Sequence, residues 1–217
     1  MKITLEHKTI SLADQVFDRL EKEILDGVYT RGDILTELRL VSDLGVSRTP
    51  IREALRRLEQ EHIVEMTGKG ILILGVTKDD FFDIMEIRKH IEGIAAARAA
   101  KNITPEQLDD LREAIELQEY YVSKRDAEQI RSFDGSFHRL MYHFSGSTVL
   151  EDTLTPLHKK AQKYRRTSVE NSSRAEQSAK EHRAIFEAIA AHDEKKAEEA
   201  MLLHIENAKQ HIAGGKN

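Results

Sequence analysis

The sequence predicts a mainly α chain in two parts: three short helices closed by a β-hairpin, then an all-α antiparallel helical bundle. Three observations predict it. Apolar residues recur every three or four positions through most of the 217 residues, the mark of amphipathic helices. Two short apolar runs, at residues 63–66 and 71–74, flank a glycine-rich tetrapeptide and read as paired strands. Near Gly75 the pattern changes from short elements with glycine stops to long ones with few breaks, which divides the chain into residues 1–76 and 77–217.

The first helix is read over residues 11–27, where Leu12, Val16, Leu20 and Ile24 recur, Ser11 can cap the start and Gly27 closes it. After a turn at Arg31-Gly32-Asp33, Leu38, Val41 and Leu44 form a short apolar-periodic piece ending at Gly45. A third helix follows with Ser47 or Thr49 as cap, Pro50 in the first turn, and Ile51, Leu55 and Leu58 on its apolar face. Thr67-Gly68-Lys69-Gly70 then joins the two strands. In the second part, Thr77 to Asp80 resembles a capping box, and Ile84, Ile87, Ile91 and Ile94 form the stripe behind it. Thr104-Pro105-Glu106-Gln107 supplies a cap, a first-turn proline and a glutamine three residues after the cap. A break at Ser123 to Asp126, and starts near Ser147, Ser172 and Asp193, complete about six helices joined by short loops.

Composition narrows the function. With no cysteine there is no disulfide, thiolate metal site or cysteine nucleophile, so metal binding must rest on histidine and carboxylates, and a cytoplasmic setting fits. The N-terminus lacks the apolar run of a secretory signal, and no segment approaches the roughly 20 apolar residues of a membrane span. A net charge of -5 argues against nonspecific coating of nucleic acid. Any DNA contact must come from local positive charge.

Such charge exists. Arg48, Arg52 and Arg56 share one face of the third helix, with Arg57 beside them and only Glu53 opposing. A short helix, a glycine turn and a second helix that begins with small polar residues and arginine has the helix-turn-helix layout, whose second helix enters the major groove. Arginine there can bind guanine O6 and N7, and Lys69 between two glycines suits a wing against the backbone or minor groove. Taken alone, the same stripe also reads as a solvated helix face with Ser47 and Thr49 as simple caps.

The run LGVSRTPIREALRRLEQEHIV with the GKG turn makes residues 10–76 resemble the winged helix of the GntR family of bacterial transcription regulators. That resemblance implies base and phosphate contacts from Arg48 and Arg52, phosphate contacts from Ser47 and Thr49, and a wing at Lys69 and Gly70. Many relatives carry arginine where this chain has Leu38, and the neighbouring Arg39 faces about 100° away on a helix.

In the second part, Asp134 and His138 stand four apart on one helical face, and His182 and His204 occupy similar apolar helical settings. Each histidine taken alone reads better as a partly buried structural residue bonded to a neighbour. Glu86-Ile87-Arg88 with Glu92, the Asp-x-x-x-His pair, the Glu181-His182-Arg183 segment and the late His204 follow the order of the FCD ligand-binding domain of the FadR-like branch, over residues 78–213. The resemblance implies Asp134, His138, His182 and His204 as ligands of a divalent metal, with zinc, nickel or manganese suited to that donor set. A small carboxylate effector would then bind the metal, clamped by Arg88, whose other role is an ion pair with Glu92 one turn on. His90, His143 and His158 have no argued partner.

The expected function is therefore a homodimeric, sequence-specific DNA-binding regulator of a palindromic operator, repressing by default and controlled by a small organic acid. The alternative is a metal-dependent enzyme with an accessory winged helix, against which stands the absence of HExxH, paired Glu-x-x-His and G-x-S-x-G motifs. A third reading has the histidines or a zinc ion purely structural.

Overall fold

The computed structural model describes residues 10–170 and 172–214. The N-terminal residues read above for a secretory signal fall partly outside them. The backbone divides into two compact units at Thr77 and Lys78.

In the first unit, α1 (Leu12–Leu25) starts where the Ser11 hydroxyl accepts the Asp14 N–H, and it buries Val16, Phe17, Leu20 and Ile24. Helix α2 (Glu37–Leu44) is capped by Thr36 and ends at Gly45, whose φ of 66° is the left-handed conformation glycine adopts without strain. Its core residue is Leu40, fully buried; of the expected stripe Val41 and Leu44 pack half-buried against the core, and Leu38 alone turns to solvent, 65% exposed. Helix α3 (Arg48–Gln60) buries Ile51, Ala54, Leu55 and Leu58 against α1 and α2. The hairpin forms with strands one residue away from expectation, β2 (Val64–Thr67) and β3 (Gly70–Ile73), so that Gly68 and Lys69 alone form the tip. A third strand, β1 (Ile34–Leu35), pairs antiparallel with the free side of β3, giving the order β1-β3-β2. Two residues carry no periodicity, so the sequence predicts no strand there.

Among the described residues the second unit is six helices: α4 (Lys78–Asn102), α5 (Pro105–Lys124), α6 (Ala127–Phe144), α7 (Thr148–Glu170), α8 (Ser172–Ala190) and α9 (Glu194–Gly214). The capping box at Thr104 and Gln107 is formed by both of its hydrogen bonds. Helix α4 packs chiefly on α9, α5 on α6, and α8 on α9. The isoleucine stripe of α4 is not its core face, since Ile87 and Ile94 are 45% and 46% exposed. The buried face carries Phe81, Ile84, Met85, Ala95, Ala96 and Ala99, with Arg88 and Glu92 in its middle. Small residues let α9 approach closely, and the two charged groups sit inside because they satisfy each other.

Candidate nucleic-acid interface and metal centre

In the first unit, Ser47, Arg48, Thr49, Arg52 and Arg56 are all exposed at the start and along one side of α3. Ser47 precedes the helix but makes no capping hydrogen bond, which leaves its hydroxyl for another acceptor or donor. Arg52 reaches back to α2, its Nε donating to both Glu37 oxygens at 2.9 and 3.0 Å, and this bond holds the Glu37 carboxyl below its usual range. Exposed pairs of this kind are worth about 0–1 kcal/mol, so a phosphate can displace Glu37. Arg57 is different. It donates to Asp14 at 2.6 Å and its guanidinium lies 4.0 Å from the Phe17 ring centre, so it braces α3 on α1 and does not belong to the exposed basic stripe. Periodicity alone could not separate it from Arg56.

Lys69 projects at the hairpin tip, where its N–H donates to the Thr67 hydroxyl. Gly70 opens β3, paired with Thr67 at the end of the ladder, with φ 134°; a Cβ there would stand 2.4 Å from the Leu35 carbonyl oxygen. Its lack of a side chain is what allows β1 to close on β3. Leu38 is exposed on α2, while Arg39 is turned to an ion pair with Asp43 at 3.4 Å.

In the second unit, α6, α8 and α9 bring His138, His182 and His204 together, each with no exposed surface and with ligand atoms within 4.8 Å of one another. Their outer nitrogens define their tautomers. The Nδ1 of His138 faces the Glu92 carboxylate at 3.0 Å, that of His182 the Gln118 amide oxygen at 2.7 Å, and that of His204 the Glu181 carboxylate at 2.8 Å. All three partners are acceptors, so each Nδ1 carries the proton and each Nε2 presents a lone pair inward. The Nε2 atoms of His182 and His204 face each other across 3.2 Å, and that of His138 is buried with no hydrogen-bond partner. Facing lone pairs repel unless a cation lies between them, and nitrogens bound tetrahedrally at about 2.0–2.1 Å from zinc stand about 3.3 Å apart. Asp134, one turn before His138, places Oδ1 3.8 Å from the His182 Nε2. The donor set fits a divalent metal.

Further groups orient these four. Phe137 stacks on the His182 ring at 4.5 Å. Glu181 accepts from both Arg174 nitrogens at 3.0 and 2.9 Å, from Asn207 and from His204; burial pushes its carboxyl up, but the bonds from His204 and Arg174 outweigh it and hold the pKa at about 2. Arg88 donates through Nε to Glu92 and through a terminal nitrogen to the His158 Nδ1 at 3.1 Å. Burial lowers Arg88 and raises Glu92, yet their mutual attraction reverses both, so Arg88 stays protonated and Glu92 lies well below the carboxylate range. Because Arg88 can only donate, His158 has its proton on Nε2, 3.8 Å from the Asp134 Oδ2.

Of the four residues expected from sequence, His138, His182 and His204 meet in one cluster, and Asp134 stands 3.8 Å from both the His182 and the His158 Nε2. Of the two roles open to Arg88, the pair with Glu92 is the one formed, and its remaining donors turn to His158 and Met85, so the expected clamp on an anion meets a guanidinium already engaged. His158, left without a partner by the sequence, and Gln118, unmarked in it, both face this cluster. No local pattern marks either one; Glu181 is signalled by its place beside His182 in the Glu181-His182-Arg183 segment.

An exposed arginine helix beside a glycine-tipped wing, in a chain that also carries a buried histidine cluster in a helical bundle, defines a two-domain transcription regulator. Residues 12–73 match the bacterial regulatory proteins of the gntR family, and residues 83–207 match the FCD domain. The chain belongs to the GntR family of transcriptional regulators and carries an FCD domain. It is 29% identical over 201 residues to the uncharacterized HTH-type transcriptional regulator YdhC of Bacillus subtilis, covering 91% of this chain and 89% of that one. It is 32% identical over 151 residues to the regulator McbR of Escherichia coli, covering 69% and 68%. The solved structure of E. coli McbR/YncC superposes with a TM-score of 0.81 at 24% identity, over 94% of this chain and 98% of that one, which shows the shared fold. These are regulators, not enzymes, and the metal-dependent enzyme reading falls with them. Among the described residues no helix is long and apolar enough to cross a membrane.

Proposed function

We propose that the chain is a cytoplasmic, homodimeric repressor that reads a palindromic DNA operator and is controlled by a small carboxylate bound at a divalent metal. Ser47, Arg48, Thr49 and Arg52 contact the major groove and its flanking phosphates, and Lys69 and Gly70 form the wing. Asp134, His138, His182 and His204 hold zinc, nickel or manganese. The observation that carries the reading is the set of three imidazoles whose protons are all drawn outward, leaving three lone pairs aimed at one point. When bound, the metal supplies a Lewis-acid anchor for the carboxylate. The protein's own residues keep the ligands neutral, orient them and exclude water. For the acid to act as a signal it must bind the DNA-competent and incompetent states with different affinity.

The test is a thermal-shift screen of small carboxylic and sugar acids on metal-stripped protein and on protein reloaded with each metal. The expected outcome is an acid that stabilises the reloaded chain, does nothing to the stripped chain, and releases operator DNA. His182→Ala should lose the metal-dependent shift and the acid response together. Stabilisation by metal with no acid adding to it would point to the structural-ion reading.

A further inference from the structure

His138 belongs to two triads. One is the triad with His182 and His204; the other is Glu92, His138 and His158, again buried and with ligand atoms within 4.8 Å of one another. Helices α4, α6 and α7 deliver the second triad. A carboxylate and two imidazoles in that spacing are a donor set for a transition-metal ion. What distinguishes it from the first is a resident charge. Arg88 donates to Glu92 on one side and to the His158 Nδ1 lone pair on the other, the two groups an ion would take. In the first triad the inner atoms are three unprotonated nitrogens; in the second, guanidinium protons already meet Glu92 Oε1 and the His158 Nδ1, and the His138 Nδ1 proton meets Glu92 Oε2.

We propose that the Arg88 guanidinium occupies the seat of a second cation and thereby limits the bundle to one metal ion, so that removing it opens a divalent-metal site at Glu92, His138 and His158. The inference rests on the metal reading of the first triad only for the parent's count of ions. Lysine at position 88 keeps a fixed cation there and keeps the seat filled. Methionine keeps the length and removes the charge, leaving Glu92 to pair with the incoming ion and His158 free to turn its lone pair to it. His138 then serves both triads, with its Nδ1 proton leaving to solvent.

The experiment is zinc stoichiometry of the full chain by equilibrium dialysis and elemental analysis, with a thermal scan on each sample. The parent and Arg88→Lys should hold one ion per chain, Arg88→Met two, and Arg88→Met combined with Glu92→Gln one. Arg88→Met combined with His182→Ala should keep the ion of the second triad. Should Arg88→Met prove unfolded when metal-free, zinc must refold it, since the ion replaces the missing guanidinium. An Arg88→Met chain that holds no more zinc than the parent, or that zinc does not refold, overturns the proposal. A parent that binds no zinc overturns the first-triad reading instead, while a gain of one ion in Arg88→Met still supports this one.

Discussion

Arg48 and Lys69 are both exposed cations of the first unit, yet chemistry separates what their loss should do. Arginine at the start of a recognition helix can make two bonds to one guanine, so Arg48→Ala should cost about 1–3 kcal/mol on the preferred operator and narrow the gap to altered operators. Lys69 at a hairpin tip has only a point charge for phosphate. Lys69→Ala should weaken binding equally across sequences and reduce the slope of log affinity against log salt by about one. Fluorescence anisotropy across a salt series with preferred and altered operators checks both. If Arg48→Ala binds every operator as the parent does, it is not a reading residue. The residue scale is also where sequence was most and least legible. Asp134 and His138 are neighbours along one helix, so their spacing alone brings them together; Gln118 and His158 enter the site through the packing of α5 and α7, which no local spacing encodes.

At the scale of elements, the wing depends on a missing side chain. Gly70→Ala puts a methyl group into the Leu35 carbonyl and demands a φ that alanine resists, so the first unit should lose roughly 1–3 kcal/mol by chemical denaturation. Gly68→Ala, with nothing within 4 Å of its added carbon, should be close to neutral. The join of α1 to α3 has a signature in acid. Hydrogen bonds from Ser11 and Arg57 hold the Asp14 carboxyl below its ordinary 3.8, so the folded state favours the ionised form. The stabilisation is therefore present above that value and is lost as pH falls through the lower folded pKa. Arg57→Met should flatten the dependence of stability on pH below 4, and an Asp14 NMR titration in the variant should move back toward 3.8. The elements themselves were mostly readable because caps, glycine stops and apolar periods are local. The inner face of α4 is not legible from its isoleucines because it buries an ion pair and alanines beside Ile84 while presenting Ile87 and Ile94 outward, and β1 is not legible because its order comes from pairing with β3.

At the scale of the molecule, two units with separate cores should unfold as two events. If the proposed metal is bound, chelation should lower the melting temperature of the unit beginning at Lys78 and leave the winged unit unchanged, because only the former contains Asp134, His138, His182 and His204. Metal at 100 times its dissociation constant contributes about 2.7 kcal/mol, enough to separate the transitions in a calorimetric scan. A single transition that moves as a whole on chelation would show the units to be thermodynamically one. The net charge of -5 sets a further condition: with α3 basic in an acidic chain, operator affinity rests on a few contacts and repulsion elsewhere discourages sliding onto unrelated DNA.

The complete burial of His138, His182 and His204 also has a consequence in time. An ion among groups with no exposure leaves only when the helices around it part, so its departure follows the clock of local opening and not that of ligand exchange in water. Past a certain concentration, more chelator would not hasten its loss. On the proposed reading such an ion would outlast many rounds of operator binding and release, and the quick part of the response would fall to the smaller molecule that comes and goes beside it.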